Sequence, residues 1–219
     1  MTNRLTIGVD LGQVRDATAL AAIGSYRTEP NETAQRRARR PLHHDLIALE
    51  RLRPGVPYPV QAELIAAFAA RFVEYDRPTL FVDATGVGRP VADLLRMDCP
   101  YPMRAVIIGS GAVAARSGPD WSVPKADLIG ALEVGLSSRR VHFSPDLALA
   151  KDLDKELRAF SYDLSATGRP KFEGRGAHDD LVLALALAIW GAEKGGGASD
   201  AFKEMMAAAI STRREDESS

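Results

Sequence analysis

The sequence predicts an α/β domain built on one mixed sheet, and three features indicate this fold class. Three short apolar runs precede the first helical pattern, and polar turns separate them, which is typical of an antiparallel meander. Helical patterns and short apolar strands then alternate along the chain. The run PTLFVDAT is apolar almost throughout, as expected for a strand covered by helices on both faces. Together these features predict a mixed central sheet flanked by helices.

The elements of the first half follow from the period of their apolar residues. The predicted strands span residues 4–11, 17–24, 42–52, 78–85 and 101–109. The first predicted helix, 59–75, carries large apolar side chains at helical spacing and has Pro59 near its first turn. A second, shorter helix is predicted over 88–97.

The second half begins with a predicted loop over 110–122, because SGAVAARSGPDWS is small, polar and aperiodic. The remaining predicted elements are, in order, a helix over 123–138 with Pro124 near its start, a strand over 139–143, a helix over 144–163, a turn between two short strands over 167–176, and a helix over 178–194. The helix over 144–163 is expected to begin at a serine cap followed by proline. We expect one domain over 1–194 and a flexible C-terminal tail over 195–219.

Composition excludes several classes of protein. A chain of 219 residues with 46% hydrophobic residues is long enough for one domain with a substantial core. Cys99 is the single cysteine, which excludes an internal disulfide and a cysteine-based zinc cluster. No signal peptide is evident, and no apolar run approaches the roughly 18 residues of a membrane span. These features predict a cytosolic protein without a membrane partner.

Positive charge is concentrated locally. The net charge of −1 argues against a uniformly basic nucleic-acid binder. The stretch AQRRARRPLHH nevertheless groups four arginines: Arg36, Arg37, Arg39 and Arg40. This segment is either a solvated loop or a loop that contacts phosphates.

Three acidic positions stand out because carboxylates are unusual there. Asp10 and Asp83 each end an apolar strand, and the pair Asp179 and Asp180 opens the most apolar helix of the chain. We expect the first and fourth strands to be neighbours in the sheet, which places Asp10 and Asp83 at one end of it. Each residue also has an ordinary interpretation, as a turn former or as a complement to the helix dipole.

Gathered carboxylates repel one another, so such a cluster is stable when protons or cations neutralise it. Carboxylate oxygens are hard ligands that favour Mg²⁺ or Mn²⁺ over zinc. Two such ions about 4 Å apart can activate a water molecule and stabilise the leaving oxygen in phosphodiester hydrolysis. The three acidic positions therefore predict a site for two Mg²⁺ or Mn²⁺ ions.

Four motifs in this order resemble a known family: IGVDLGQVRDATAL, LFVDATGVGRPVADLL, VPKADLIGAL and GAHDDLVLALALA. Together they are similar to the nuclease domain of the large terminase subunit of tailed bacteriophages, a ribonuclease H-like fold related to Holliday-junction resolvases. The resemblance covers roughly residues 5–193. It implies that Asp10, Asp83 and Asp180 bind the metals, with Asp179 as an alternative ligand. His178 either orients a carboxylate or the water, or simply starts the helix.

The resemblance also implies an activity and a setting. The activity is metal-dependent endonuclease cleavage of double-stranded DNA during phage genome packaging, in the cytoplasm of an infected or prophage-carrying bacterial host. The implied partners are double-stranded DNA, an ATPase motor in cis or in trans, the portal and the small terminase subunit. The sequence contains no G-x-x-x-x-G-K-[ST] phosphate loop, so the chain is not expected to translocate DNA by itself. It is either an excised domain or the product of a stand-alone gene.

Weaker DNA-binding candidates lie beside the acidic positions. Gly86 and Gly88 follow Asp83. Without side chains they allow either the close approach of a DNA phosphate to the backbone or a plain tight turn. Lys125 is either a solvated first-turn residue or a DNA contact. The alternatives are a Holliday-junction resolvase-like nuclease, an actin-like or sugar-kinase-like ATPase that also opens with GVDLG, and a catalytically inactive DNA-binding or assembly module.

Overall fold

The computed structural model describes residues 4–12, 16–27, 41–86, 88–111, 113–166 and 179–194, except for the side chains of 161–166. The strands are β1 (Arg4–Asp10), β2 (Thr18–Tyr26), β3 (His43–Leu52), β4 (Thr79–Asp83), β5 (Met103–Gly109), β6 (Ala115–Ser117), β7 (Asp120–Pro124) and β8 (Val141–His142). The helices are α1 (Tyr58–Ala70), α2 (Gly88–Asp98), α3 (Lys125–Ser137), α4 (Ala150–Ala166) and α5 (Asp180–Lys194).

The strands form one mixed sheet in the order β6-β7-β5-β4-β1-β2-β3-β8. β1, β2 and β3 form the predicted antiparallel meander. β4 then pairs in parallel with β1, and β5 pairs in parallel with β4. The predicted mixed sheet and the predicted adjacency of the first and fourth strands are thus confirmed.

Helices cover both faces of the sheet, and each face has its own core. On one face, side chains such as Ile7 and Val82 pack with α1 and α2 through residues such as Phe68. On the other face, Phe81 and its neighbours pack with α3, α4 and α5. Within the described residues, no helix is both long and apolar enough to cross a membrane.

Helix α5 lies unusually close to the middle of the sheet because β1 has a glycine beneath it. A Cβ on Gly8 would stand 1.9 Å from the Ala184 carbonyl oxygen and 2.6 Å from the Ala188 nitrogen. Any side chain at this position would therefore push the helix off the sheet. This contact fixes where the N-terminus of α5 lies relative to the end of β1.

Several predicted boundaries are wrong. The predicted loop over 110–122 contains β6 and most of β7, and β6 pairs antiparallel with β7 at the edge of the sheet. Helix α4 begins at Ala150 instead of Ser144, because residues 145–149 form turns, with Leu149 at a φ of 64°. The predicted turn over 167–176 and the predicted tail over 195–219 lie outside the described residues.

Candidate metal centre

Asp10 and Asp83 are the last residues of two neighbouring parallel strands. Val9 is in register with Val82, so the next residue of each strand is an aspartate. Neighbouring strands lie about 4.8 Å apart, which places the two residues side by side. Because side chains alternate between faces, Asp10 shares a face with Gly8, and this is the face that α5 covers. Asp83 shares that face with Phe81.

The N-terminus of α5 comes to the same point. From Ala184, which lies over Gly8, the helix extends about 6 Å back to Asp180 at 1.5 Å per residue. From Gly8 to Asp10, β1 advances by about 6.6 Å. The two advances are similar, and the charges of Asp180 and Asp179 act on Asp10, so the helix start lies near the carboxyl end of β1. We call Asp10, Asp83, Asp179 and Asp180 the acidic cluster.

Charge couples the members of the acidic cluster. The pKa of the Asp10 carboxyl is raised well above its ordinary value, first by burial and then by the negative charges of Asp83, Asp180 and Asp179, in that order. Asp180 thus acts on Asp10 more strongly than Asp179 does. The negative charges of all the other members of the acidic cluster therefore reach Asp10.

Asp83 is held by the turn that follows it. Burial raises the pKa of its carboxyl, while hydrogen bonds from Thr85 and the charge of Lys125 oppose that rise. The Thr85 backbone N–H donates to Asp83 Oδ1 at 2.8 Å, and Thr85 Oγ1 accepts the Ile108 N–H at 2.7 Å. This turn links the carboxylate to the neighbouring strand β5.

The two glycines after Asp83 are explained by this turn. Gly86 has a φ of 58°, and a Cβ on Gly88 would stand 2.4 Å from the Asp83 carbonyl oxygen. Both observations support the tight-turn interpretation of these residues. Their contact with a DNA phosphate stays a prediction.

Lys125 faces the acidic cluster from the start of α3. Its Nζ lies 3.6 Å from Asp179 Oδ2, and its side chain is 25% exposed. Its positive charge lowers the pKa of both Asp10 and Asp83. Lys125 is therefore more than a solvated first-turn residue, while its contact with DNA stays a prediction.

Sequence reasoning missed two residues beside the cluster, Glu156 on α4 and Arg51 on β3. Glu156 Oε2 accepts the N–H groups of Leu181 at 2.9 Å and Val182 at 3.3 Å. Arg51 Nη2 bonds to Glu156 Oε1, and Arg51 Nε lies 4.0 Å from Asp180 Oδ2. Both residues stand in charge-rich stretches, ALERLRP and KDLDKELRAF, where no pattern distinguishes them from surface charges.

The donor set suits a hard divalent cation. Every member of the acidic cluster offers carboxylate oxygens, which Mg²⁺ and Mn²⁺ prefer. In the described part of the chain, no three His, Cys, Asp or Glu side chains are already arranged to hold an ion. Because carboxylates at one point repel one another, their close approach requires positive charge or protons. His178 and the four arginines of 36–40 lie outside the described residues.

Comparison with known proteins identifies solved structures that have a similar fold. The sequence matches no protein-family model and no curated protein. Among solved structures, the chain is similar to the large terminase nuclease of thermophilic phage G20c with bound magnesium, with a TM-score of 0.54, 24% identity and coverage of 85% of this chain and 80% of that one. The zinc-bound form of the same nuclease gives a TM-score of 0.51 at 22% identity, with coverage of 85% and 80%.

A terminase nuclease from a different virus also matches. The manganese-soaked terminase nuclease domain of human cytomegalovirus gives a TM-score of 0.52 at 16% identity, with coverage of 86% of this chain and 83% of that one. The match spans most of both chains, so it concerns the whole domain and not one shared motif. The chain therefore has the fold of the large terminase nuclease domains, the ribonuclease H-like arrangement that its four motifs predicted.

Proposed function

We propose that this protein is a metal-dependent endonuclease that hydrolyses phosphodiester bonds of double-stranded DNA during phage genome packaging. The observation that carries the proposal is the meeting of β1, β4 and α5 at the acidic cluster, within the fold of terminase nucleases. The proposed ligands are Asp10, Asp83 and Asp180, with Asp179 beside them. Two bound Mg²⁺ or Mn²⁺ ions would supply an activated water and stabilise the leaving oxygen.

The residues of the chain have separate parts in this proposal. Asp10 and Asp83 provide neighbouring carboxylates on a rigid pair of strands, so their spacing is set by the sheet. Asp180 approaches from a helix, and the Thr85 N–H holds one oxygen of the Asp83 carboxylate. Lys125 supplies a fixed positive charge that would bind a phosphate group of the DNA.

The packaging role rests on the neighbours and on the four motifs. Phage G20c and human cytomegalovirus proteins are terminase nucleases by name, which supports DNA as the substrate of this chain. Under this proposal the partners are an ATPase motor, the portal and the small terminase subunit, and the protein acts in the cytoplasm of the bacterial host.

A plasmid assay tests the activity. Incubated with supercoiled plasmid and Mg²⁺ or Mn²⁺, the protein is expected to nick and then linearise the DNA with little sequence preference, because contacts to phosphates carry no sequence information. EDTA should stop the reaction. Asp10→Asn and Asp83→Asn should each lower the cleavage rate by about 100-fold or more, since each removes a charged metal ligand.

Asp93→Asn is the matched control, because Asp93 is an exposed aspartate on α2 that pairs with Arg96. It should cleave at the wild-type rate. Preference for four-way junctions over linear duplex would indicate a resolvase, and DNA binding without metal-dependent cleavage would indicate an inactive module. If the wild type shows no metal-dependent cleavage, the proposed activity is wrong.

A further inference from the structure

Glu156 occupies the place of a cap at the start of α5, although it belongs to another helix. The first N–H groups of a helix have no acceptor within that helix, and a side chain of the same segment usually caps them. Here Leu181 and Val182 donate instead to one oxygen of Glu156, 25 and 26 residues earlier in the chain. The Asp179 carboxylate, at the ordinary cap position, lies near Lys125.

The other oxygen of Glu156 connects this cap to Asp180. Glu156 Oε1 bonds to Arg51 Nη2, and Arg51 Nε lies 4.0 Å from Asp180 Oδ2. Glu156 and Asp180 are each only 8% exposed. Two nearly buried carboxylates close to one arginine depend on its positive charge, because removing that charge would leave them uncompensated.

The arrangement places Glu156 next to the peptide that carries a proposed metal ligand. Leu181, which donates to Glu156, directly follows Asp180, so a shift of the cap moves Asp180. Arg51 is hydrogen-bonded to Glu156, and its Nε lies at ion-pair distance, 4.0 Å, from Asp180 Oδ2, so one positive charge on β3 attracts carboxylates on both α4 and α5. By contrast, Asp10 and Asp83 are positioned by the sheet itself.

We propose that Glu156, acting through Arg51 and the first turn of α5, is a positioning residue that sets the Asp180 carboxylate against Asp10 and Asp83 for divalent-metal binding. This inference rests on the proposed function and assigns a new role to residues outside the acidic cluster. Groups that orient metal ligands typically change metal affinity or activity by 10–100-fold when they are mutated.

The test is Glu156→Gln in the full chain. The amide keeps the size of the side chain but loses the charge that holds Arg51 and the two N–H groups. We expect Mn²⁺ affinity, measured by calorimetry without DNA, to fall about tenfold. The Mn²⁺ concentration for half-maximal plasmid cleavage should rise by the same factor, and excess Mn²⁺ should restore cleavage.

Asp154→Asn is the matched control, because Asp154 is an exposed acid on the same helix that pairs with Arg158. It should leave Mn²⁺ affinity and cleavage unchanged. A merely structural role for Glu156 predicts a lower melting temperature with wild-type Mn²⁺ affinity, and that result would overturn the inference. Arg51→Lys is the second variant, which keeps the positive charge but loses the planar fork.

Arg51→Lys should also weaken Mn²⁺ binding, by a smaller factor than Glu156→Gln does. If Glu156→Gln does not fold, Arg51→Lys decides: wild-type Mn²⁺ affinity in that variant contradicts the inference. The proposed function is judged separately on Asp10→Asn, which excess Mn²⁺ should not rescue. Cleavage by the wild type, its loss in Asp10→Asn and unchanged Mn²⁺ dependence in Glu156→Gln would leave the nuclease assignment intact and reject the positioning role.

Discussion

Lys125 brings a positive charge to the place where we propose that metal ions bind. Its ammonium lies 3.6 Å from Asp179 and lowers the pKa of Asp10 and Asp83. A fixed cation beside a metal site repels the metal and attracts phosphate. The residue therefore has opposite effects on the two ligands of the proposed enzyme.

Lys125→Met separates these effects, because methionine retains most of the apolar stem and removes the charge. We expect Mn²⁺ to bind about fivefold more tightly, a change of roughly 1 kcal/mol of the kind that neighbouring charges produce in a solvated site. Duplex DNA should bind more weakly and with a smaller salt dependence, since the protein would neutralise about one phosphate fewer. Calorimetry of Mn²⁺ and fluorescence anisotropy of labelled DNA measure the two affinities.

Lys155→Met on α4 is the control for this substitution, since Lys155 is exposed and pairs with Asp152. It should change neither affinity. Weaker Mn²⁺ binding by Lys125→Met would show that the lysine organises the carboxylates more than it repels the metal.

At the residue scale, the sequence reveals a functional candidate where a charged residue stands at a position that usually holds an apolar one. Asp10 and Asp83 stand out because a carboxylate is unexpected at the end of an apolar strand. Glu156 and Arg51 raise no such conflict, because each stands among other charges. Their importance arises from contacts between α4, β3 and α5, which no local pattern encodes.

At the scale of elements, side chains from other helices and strands bind α5 near both of its ends. Glu156 binds its first turn, and Glu193 near its last residue contacts Arg140 at 2.8 Å and the buried His44 at 3.7 Å. His44 is in turn hydrogen-bonded to Ser25 at 2.8 Å. These contacts join the last turn of α5 to β2, β3 and the segment before β8.

Glu193, near the C-terminal end of α5, is expected to make the free energy of unfolding depend on pH. The close imidazole of His44 is the first cause that lowers the pKa of Glu193 to about 2, and the hydrogen bond from Arg140 adds to it against the effect of burial. A carboxyl whose pKa is lower in the folded state stabilises the fold above its unfolded pKa. That contribution is lost as the pH falls through the folded pKa.

Glu193→Gln is therefore expected to cost about 2 kcal/mol near pH 7, the range for a hydrogen bond to a charged group. The difference from wild type should shrink as the pH falls below about 4.5 toward 2. Urea unfolding at a series of pH values measures it. The exposed Glu133→Gln on α3 serves as control, and a difference that stays constant with pH would contradict the assignment.

Elements are predicted well from the sequence where their period is clear. β1, β4 and α5 have long or continuous apolar patterns, and the predicted positions are close to the observed ones. The sequence does not reveal β6 and β7, because Ala115–Ser117 is exposed and Asp120–Pro124 has only its last two residues buried, so neither carries an apolar period. These two strands gain their order from pairing, β7 with β5 and the edge strand β6 with β7.

At the scale of the whole molecule, topology brings the acidic positions together. Asp10 and Asp83 are far apart in the chain, and the crossover through β2, β3 and α1 returns β4 to the side of β1 in parallel. Parallel neighbours end at the same edge, so two strand-end carboxylates meet there. The sequence could predict this meeting because the meander and the following helix restrict the order of strands.

The net charge of −1 means that DNA binding must come from local positive charge. Of the candidate DNA-binding residues, Arg36, Arg37, Arg39 and Arg40 are the most concentrated. Replacing all four with alanine should weaken duplex binding. The slope of log affinity against log salt should fall by about 0.9 for each phosphate that the variant no longer neutralises.

That substitution also changes the net charge from −1 to −5, because four positive charges are removed. A control must therefore lose the same charge elsewhere, and alanine at the exposed positions Lys151, Lys155, Arg158 and Lys194 provides it. If the segment contacts phosphates, the arginine variant loses more affinity and more slope than the control at equal salt. Equal losses would mean that only long-range charge is involved, and the segment would then be an ordinary solvated loop.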